Sequence, residues 1–285
     1  VSSTRDVFEI HRAAFRVFRE EALADAEPVD AGNVWELEER LVLAEVDAAA
    51  LALAAVGPPP WDPGSPRFVQ QSGTTCMSTS LANALISLGE PCLLEATEAR
   101  AHALADDIVA NTSALGKPGD YRSVDDLFKY LESGRLPTLL LEGGRFAHDY
   151  RVRLTASLLD VVEALWTGKG RLVMQKRAHA RLAFALEIRG EAAPLVRVRD
   201  PLSSRAGHEL VSLELLRREF LWSPLKKIPR LMGPDAFESL EASELMGHLT
   251  RYDEMDNLGV ECPSALVYRV EDAPPRLGVK PEEGA

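Results

Sequence analysis

Cys76 stands where a polar loop, "FVQQSGTT", turns into an apolar-periodic stretch, "MSTSLANALISLG". Thr74 and Thr75 offer capping hydroxyls for a helix beginning there. Met77, Leu81, Leu85 and Leu88 form its apolar stripe, and Gly89 is suited to end it. A thiol at a helix N-terminus faces unpaired backbone N–H groups and the positive end of the macrodipole, both of which favour the thiolate. A thiolate attacking a carbonyl also needs donors for the developing oxyanion. The N–H of Cys76 can be one, and the amide of Gln70 or Gln71, six and five residues upstream, another. The plainer reading makes Cys76 a small buried hydrophobe and the glutamines ordinary loop residues.

A nucleophilic thiol needs a base, and the base needs an orienting group. Six histidines are present. His179 opens the strand-like run "HARLAFALEI". A hairpin loop, "RGEAAP", then returns the chain, and the next run, "PLVRVRD", ends at Asp200 before Pro201. Adjacent antiparallel strands can bring two such residues together. His11, His102, His148, His208 and His248 are not followed by a matching strand pair, so each reads as structural. His208 is the competitor, because it lies only eight residues after Asp200.

The elements that would carry these residues can be read from periodicity. Residues 4–56 form two helices separated by "EPVDAG". Phe8, Phe15 and Phe18 recur at near-helical spacing in the first, and Trp35, Leu37, Leu41 and Ala48 share a broad face of the second. "GPPPWDPGSP" at 57–66 stops any helix and marks a linker or extended strap. Beyond it, helices are expected from Cys76 to Gly89 and at 93–111, 123–133 and 157–167. Ser123 has the signature of an N-cap. Strands are expected at 171–176, 179–188, 194–200 and 265–270, and "GHELVSLELLRREFLW" reads as a short strand running into a helix. Helices followed by strands give an α+β class. The helical N-terminal pair, 1–56, is expected to be a subdomain that packs on the domain beyond the linker, and 272–285 a disordered tail.

Composition narrows the function. The chain has 285 residues, 46% hydrophobic content and a formal net charge of −12. Such a surface repels phosphate backbones, so nucleic acid is not an expected partner. The longest apolar run, 41–56, is too short for a bilayer and contains Glu45 and Asp47, so no membrane is expected either. Cys76, Cys92 and Cys262 match neither a disulfide framework nor a zinc pattern, which fits a reducing, cytoplasmic setting, with signal-independent export as the alternative. "YDEMDN" at 252–257 lacks calcium-loop spacing, "KPGDY" is a turn rather than a phosphate loop, and no nucleotide fingerprint follows a strand. Neither cofactor nor metal is implied.

Gln70, Cys76 at a helix start, His179 on a strand and Asp200 ending the next strand occur in an order that resembles the papain-like cysteine peptidase superfamily. The nearest likeness is to its bacterial branch that includes bacteriocin-leader peptidases. In that branch a Gln precedes the Cys by six residues, which selects Gln70 over Gln71. The Asp is followed there by Pro and then by a short strand and helix, as in "VRVRDPLSSRAGHELVSLELLRREFLW". The resemblance covers roughly 68–90 and 170–222, and Met77 stands where the branch usually has Gly. It implies a papain-like domain at 67–271, with Cys76 as nucleophile, His179 as base, Asp200 as orienter and Gln70 in the oxyanion hole. Hydrolysis of an amide in a peptide or protein substrate would be the reaction. A glutamine deamidase or acyltransferase on the same machinery, and a non-catalytic binding module, are the alternatives.

Overall fold

The computed structural model describes residues 4–26, 33–62, 64, 68–70, 76–89, 150–154, 157–176, 179–190, 192–202, 208–221 and 264–269. Their elements are helices α1 (Thr4–Asp25), α2 (Val34–Val56), α3 (Cys76–Ser87), α4 (Leu158–Thr167) and α5 (Leu213–Phe220), and strands β1 (Tyr150–Leu154), β2 (Gly170–Lys176), β3 (His179–Glu187), β4 (Leu195–Arg199), β5 (Glu209–Ser212) and β6 (Ser264–Arg269). Helices at 93–111 and 123–133, the Ser123 cap, the acidic run at 252–257 and the tail at 272–285 lie outside the described residues. The strand β1 was not anticipated, although Tyr150, Val152 and Leu154 alternate with polar residues as a half-buried strand requires.

The six strands form one sheet in the order β1-β6-β2-β3-β4-β5, every neighbouring pair antiparallel. Residues opposite one another in such a ladder share a face, and alternate residues along a strand change face. Leu172, Met174, Ala183, Leu186, Val196, Val198, Val211 and Leu266 bury one face in a single cluster with the apolar sides of α2, α4 and α5. The opposite face, carrying Val173 and Leu182, is covered by α3 where it crosses β2 and β3. The result is a helix–sheet–helix sandwich of mixed α+β class.

The N-terminal helices share the core of the sheet. Phe8, Ala49, Ala52 and Leu53 belong to the same cluster as α4, and the Phe8 ring packs 6.4 Å from that of Trp166. Arg12 reaches from α1 to Asp160 at 2.8 Å and to Glu163 on α4. Glu45, buried in α2, accepts the N–H of Leu158 at 2.7 Å and pairs its second oxygen with Arg217 of α5. One carboxylate thus caps α4 and anchors α5. Leu37 and Leu41 are buried as the stripe requires, but Trp35 is 51% exposed. It lies two positions before Leu37, about 200° round the helix, and so points away from the buried face.

The proline-rich segment is a strap pinned to the sheet. The indole N–H of Trp61 is shared by the carbonyls of Leu165 and Trp166, at 3.0 Å each. Gly168, at φ 73°, ends α4, and a Cβ there would stand 2.6 Å from the Trp61 ring, so only glycine admits the contact. Under the ring lies Arg171, 4.4 Å from its centroid and almost wholly buried. Its guanidinium donates to the carbonyls of Gly168, Gly170 and Ser87 and to the Ser87 hydroxyl. Burial, with the charge of Arg269, pushes Arg171 down to about 9.

Candidate active site

β3 begins at His179 and β4 ends at Arg199, and the two strands pair antiparallel as the hairpin reading of the sequence implied. The ladder is not uniform. Glu187, Leu186 and Ala185 face Leu195, Val196 and Arg197, but Ala183 and Leu182 face Val198 and Arg199, so Phe184 is an extra residue, a β-bulge. An unbroken register would carry Asp200 opposite Leu182, on the α3 face. The bulge brings it opposite Arg181 instead. Arg181 pairs with Met174 and His179 with Lys176 on β2, so His179, Arg181 and Asp200 share one face.

On that face Asp200 receives three donors from the described residues. His179 Nε2 lies 2.8 Å from Oδ1, the Leu202 N–H donates to the same oxygen at 2.9 Å, and Arg181 Nε lies 3.1 Å from Oδ2. Burial raises the pKa of Asp200, but the Leu202 N–H, the His179 hydrogen bond and the charges of His179 and Arg181 together outweigh it and hold the carboxyl below its ordinary value. An ionised carboxylate only accepts, so Nε2 of His179 carries the proton. Nδ1, which makes no hydrogen bond to a described residue, keeps its lone pair in the neutral ring. His179 is one-quarter exposed, so this nitrogen can meet a ligand.

Cys76 is the first residue of α3 and is partly exposed, as expected. Gln70, half-buried, lies in the segment that leads to it. The backbone beside Gln70 is fixed by a residue the sequence pattern did not single out. Asn83, fully buried on α3, accepts the Val69 N–H at 2.7 Å and donates to the Val69 carbonyl at 3.0 Å. Its signal was available, as a polar amide in the apolar run "LANALISL". Phe68 extends the anchorage by packing edge-on against Phe184, with centroids 4.8 Å apart. Of the four expected site residues, the structure therefore joins His179 and Asp200 directly, while Cys76 and Gln70 belong to the α3 side of the sheet.

His208 does not compete for Asp200. Its ring lies 5.8 Å from that of Phe184, and its Nε2 is 3.8 Å from Glu187. Burial and the charge of Arg197 push its pKa down against the pull of Glu187. His11 lies on α1, and Gln71, Cys92, Cys262, His102, His148 and His248 lie outside the described residues. A cavity of about 170 Å³ opens at the far end of β3, between Trp61, Leu165, Glu187 and Arg197, away from the His179 pair. Among the described residues no group of three side chains has the makings of a metal site, and no helix is long and apolar enough to cross a membrane. Comparisons of the chain with protein-family models, with curated proteins and with solved structures return no match.

Proposed function

We propose that the chain is a thiol-dependent amide hydrolase with a papain-like arrangement, acting on a peptide or protein through Cys76, His179, Asp200 and Gln70. The observation that carries this reading is the His179–Asp200 hydrogen bond of 2.8 Å, in a geometry that leaves Nδ1 as the open, basic nitrogen. The position of α3 adds support. Its Ser87 end is tied to Arg171 at the start of β2, and the helix lies mainly on β2 and β3. Eleven helical steps span about 16 Å and the five strand steps from Arg171 to Lys176 about 17 Å. We infer that α3 runs along these strands, which would bring Cys76 level with the start of β3 at His179. The thiol would then meet the imidazole around the rim of the sheet.

In this reading Nδ1 takes the proton of the Cys76 thiol as sulfur attacks the carbonyl carbon. The oxyanion is met by the Cys76 N–H and the Gln70 amide. Collapse of the tetrahedral species breaks the C–N bond, and the imidazolium gives its proton to the departing amine. Water, deprotonated by the same nitrogen, then cleaves the thioester to a carboxylic acid and the free thiol. Deamidation and acyl transfer differ only in which amine leaves and which nucleophile resolves the thioester.

One observation favours a non-catalytic binding module. α3 covers one face of the sheet while His179 and Asp200 project from the other. Alkylation rates decide between the two readings. Iodoacetamide should label Cys76 ahead of Cys92 and Cys262 in the folded protein, and His179→Ala should slow that labelling. Mass spectrometry of a treated peptide pool should then show new termini, whereas an amide-to-acid mass change without cleavage would assign the deamidase. Labelling of Cys76 that ignores His179 would leave the binding module.

A further inference from the structure

Asp200 is usefully oriented only if its carboxylate stays ionised and keeps one oxygen on the imidazole. The terminal torsion of an aspartate is broad and nearly two-fold, so the side chain alone does not fix which oxygen faces a partner. Two of the three donors, His179 Nε2 and the Leu202 N–H, fall on Oδ1. Among the described residues only Arg181 engages Oδ2, through Nε at 3.1 Å. Arg181 is itself held from a third strand by Glu209 of β5, whose Oε2 lies 3.4 Å from Nη1. It stands two residues from His179 and so on the same face, and the bulge at Phe184 carries Asp200 to it.

We propose that Arg181 is a positioning residue that sets the tautomer of His179 by acting through Asp200. Its guanidinium offers donors and no acceptor, so the carboxylate beside it is met as an acceptor on both oxygens. A carboxylate held in that state accepts only from a protonated Nε2, which leaves the lone pair on Nδ1. With Oδ2 released, the carboxylate is free to swing away from Nε2, and a ring that loses this acceptor gains access to the other tautomer, whose proton occupies the nitrogen that should act as base. The inference rests on the amide-hydrolase reading for its catalytic meaning, but not for its geometry.

Ring ¹⁵N shifts of His179 in uniformly labelled protein, with Arg181→Met and Arg181→Lys, test it. Wild type should show the Nε2–H tautomer when neutral. Arg181→Met should show a mixture of both tautomers and a kcat lower by about tenfold with KM unchanged, the scale of losing a second-layer partner. Arg181→Lys should recover part of each effect, because it restores the charge without the planar fork. Arg181→Met should have no effect on the ring in an Asp200→Ala background. Wild-type ring shifts in both Arg181 variants, in protein with a native circular dichroism spectrum, overturn the proposal, as would an equal shift in the Asp200→Ala background. An inactive wild type would overturn the hydrolase reading alone, since the ring signature is read without turnover.

Discussion

Asp200 lies opposite Arg181 and not opposite Leu182, because β3 contains one residue more than β4 can pair. That single insertion decides which side of the sheet the carboxylate faces. A one-residue change of register moves every later side chain to the other face, so Phe184 is as necessary to the His179–Asp200 pair as either partner. Deleting Phe184 should abolish the hydrogen bond and return His179 to the tautomer mixture of an unpaired ring. Phe184→Leu should keep the bulge and the pair, at the cost of the Phe68 contact. Ring ¹⁵N spectra of the two variants separate the register from the side chain.

The two described sheet histidines should behave differently. His179→Ala is expected to abolish turnover, because in the proposed mechanism it removes the nitrogen that moves the proton. His208→Ala should retain most of it, since His208 faces Phe184 and Glu187. A dead His208→Ala variant with an intact fold would place the base on the α3 side of the sheet.

Gln70→Ala should lower kcat by roughly two to three orders of magnitude, the usual scale for one oxyanion donor, while alkylation of Cys76 stays near wild type. Gln71→Ala should be nearly silent. Asn83→Ala removes both hydrogen bonds to Val69 and leaves the two backbone groups to find new partners. A loss of about 2–4 kcal/mol in urea unfolding is expected, from two buried groups at about 1–3 kcal/mol each, with partial compensation by water. Comparable kinetic losses in Gln70→Ala and Gln71→Ala would point to general damage of the loop.

Glu45→Ala should cost about 3–5 kcal/mol, because the buried Arg217 loses the counter-charge 2.5 Å from its Nε and the Leu158 N–H loses its acceptor. Replacing Glu45 and Arg217 together by methionine should recover most of that loss. Equal destabilisation in the single and double variants would show that the cap on α4, rather than the ion pair, is what matters.

Stability should fall in two stages on acidification. The pKa of His208 is lowered first by burial and then by Arg197, so the folded chain resists its protonation. The unfolded chain takes up that proton near 6.5 and the folded chain only at lower pH. The contribution is therefore full above 6.5 and is lost as pH falls through the folded value. Glu187 is raised by burial, but the hydrogen bond from Arg197 and the charges of Arg189 and Arg197 outweigh that and hold it below 4.5. Glu187 and Asp200 contribute fully above their ordinary values of 4.5 and 3.8, and these contributions are lost below them. Urea midpoints across this range should show both declines, and His208→Asn should flatten the upper one alone.

Most strand positions, the α3 start at Cys76 and the approach of His179 to Asp200 were legible because each leaves a local trace. Alternation marked β2, β3 and β4, and a hairpin loop implied adjacency. The bulge left no such trace. "RLAFALEI" alternates imperfectly, and nothing local says which residue goes unpaired. The face on which α3 packs is equally silent, because it depends on how the whole sheet is covered. Asn83 was overlooked because a polar residue in an apolar stripe reads as noise until its two backbone partners are seen. β1 was missed beside the stronger helical signal of α4, and its partner β6 lies more than a hundred residues away.

Glu45 also sets a schedule. Its partners on α4 and α5 lie 113 and 172 residues further along the chain. At roughly 5–20 residues per second, a ribosome takes about ten to thirty seconds to reach Arg217 after finishing α2. Through the first half of that interval α1 and α2 are already made while no strand of the sheet has been synthesised, so their apolar flank and acidic side chain have no sheet to rest on. The helical pair must therefore wait in a provisional state, and Glu45 gains its ion pair only when a strand-to-helix segment from late in the chain arrives.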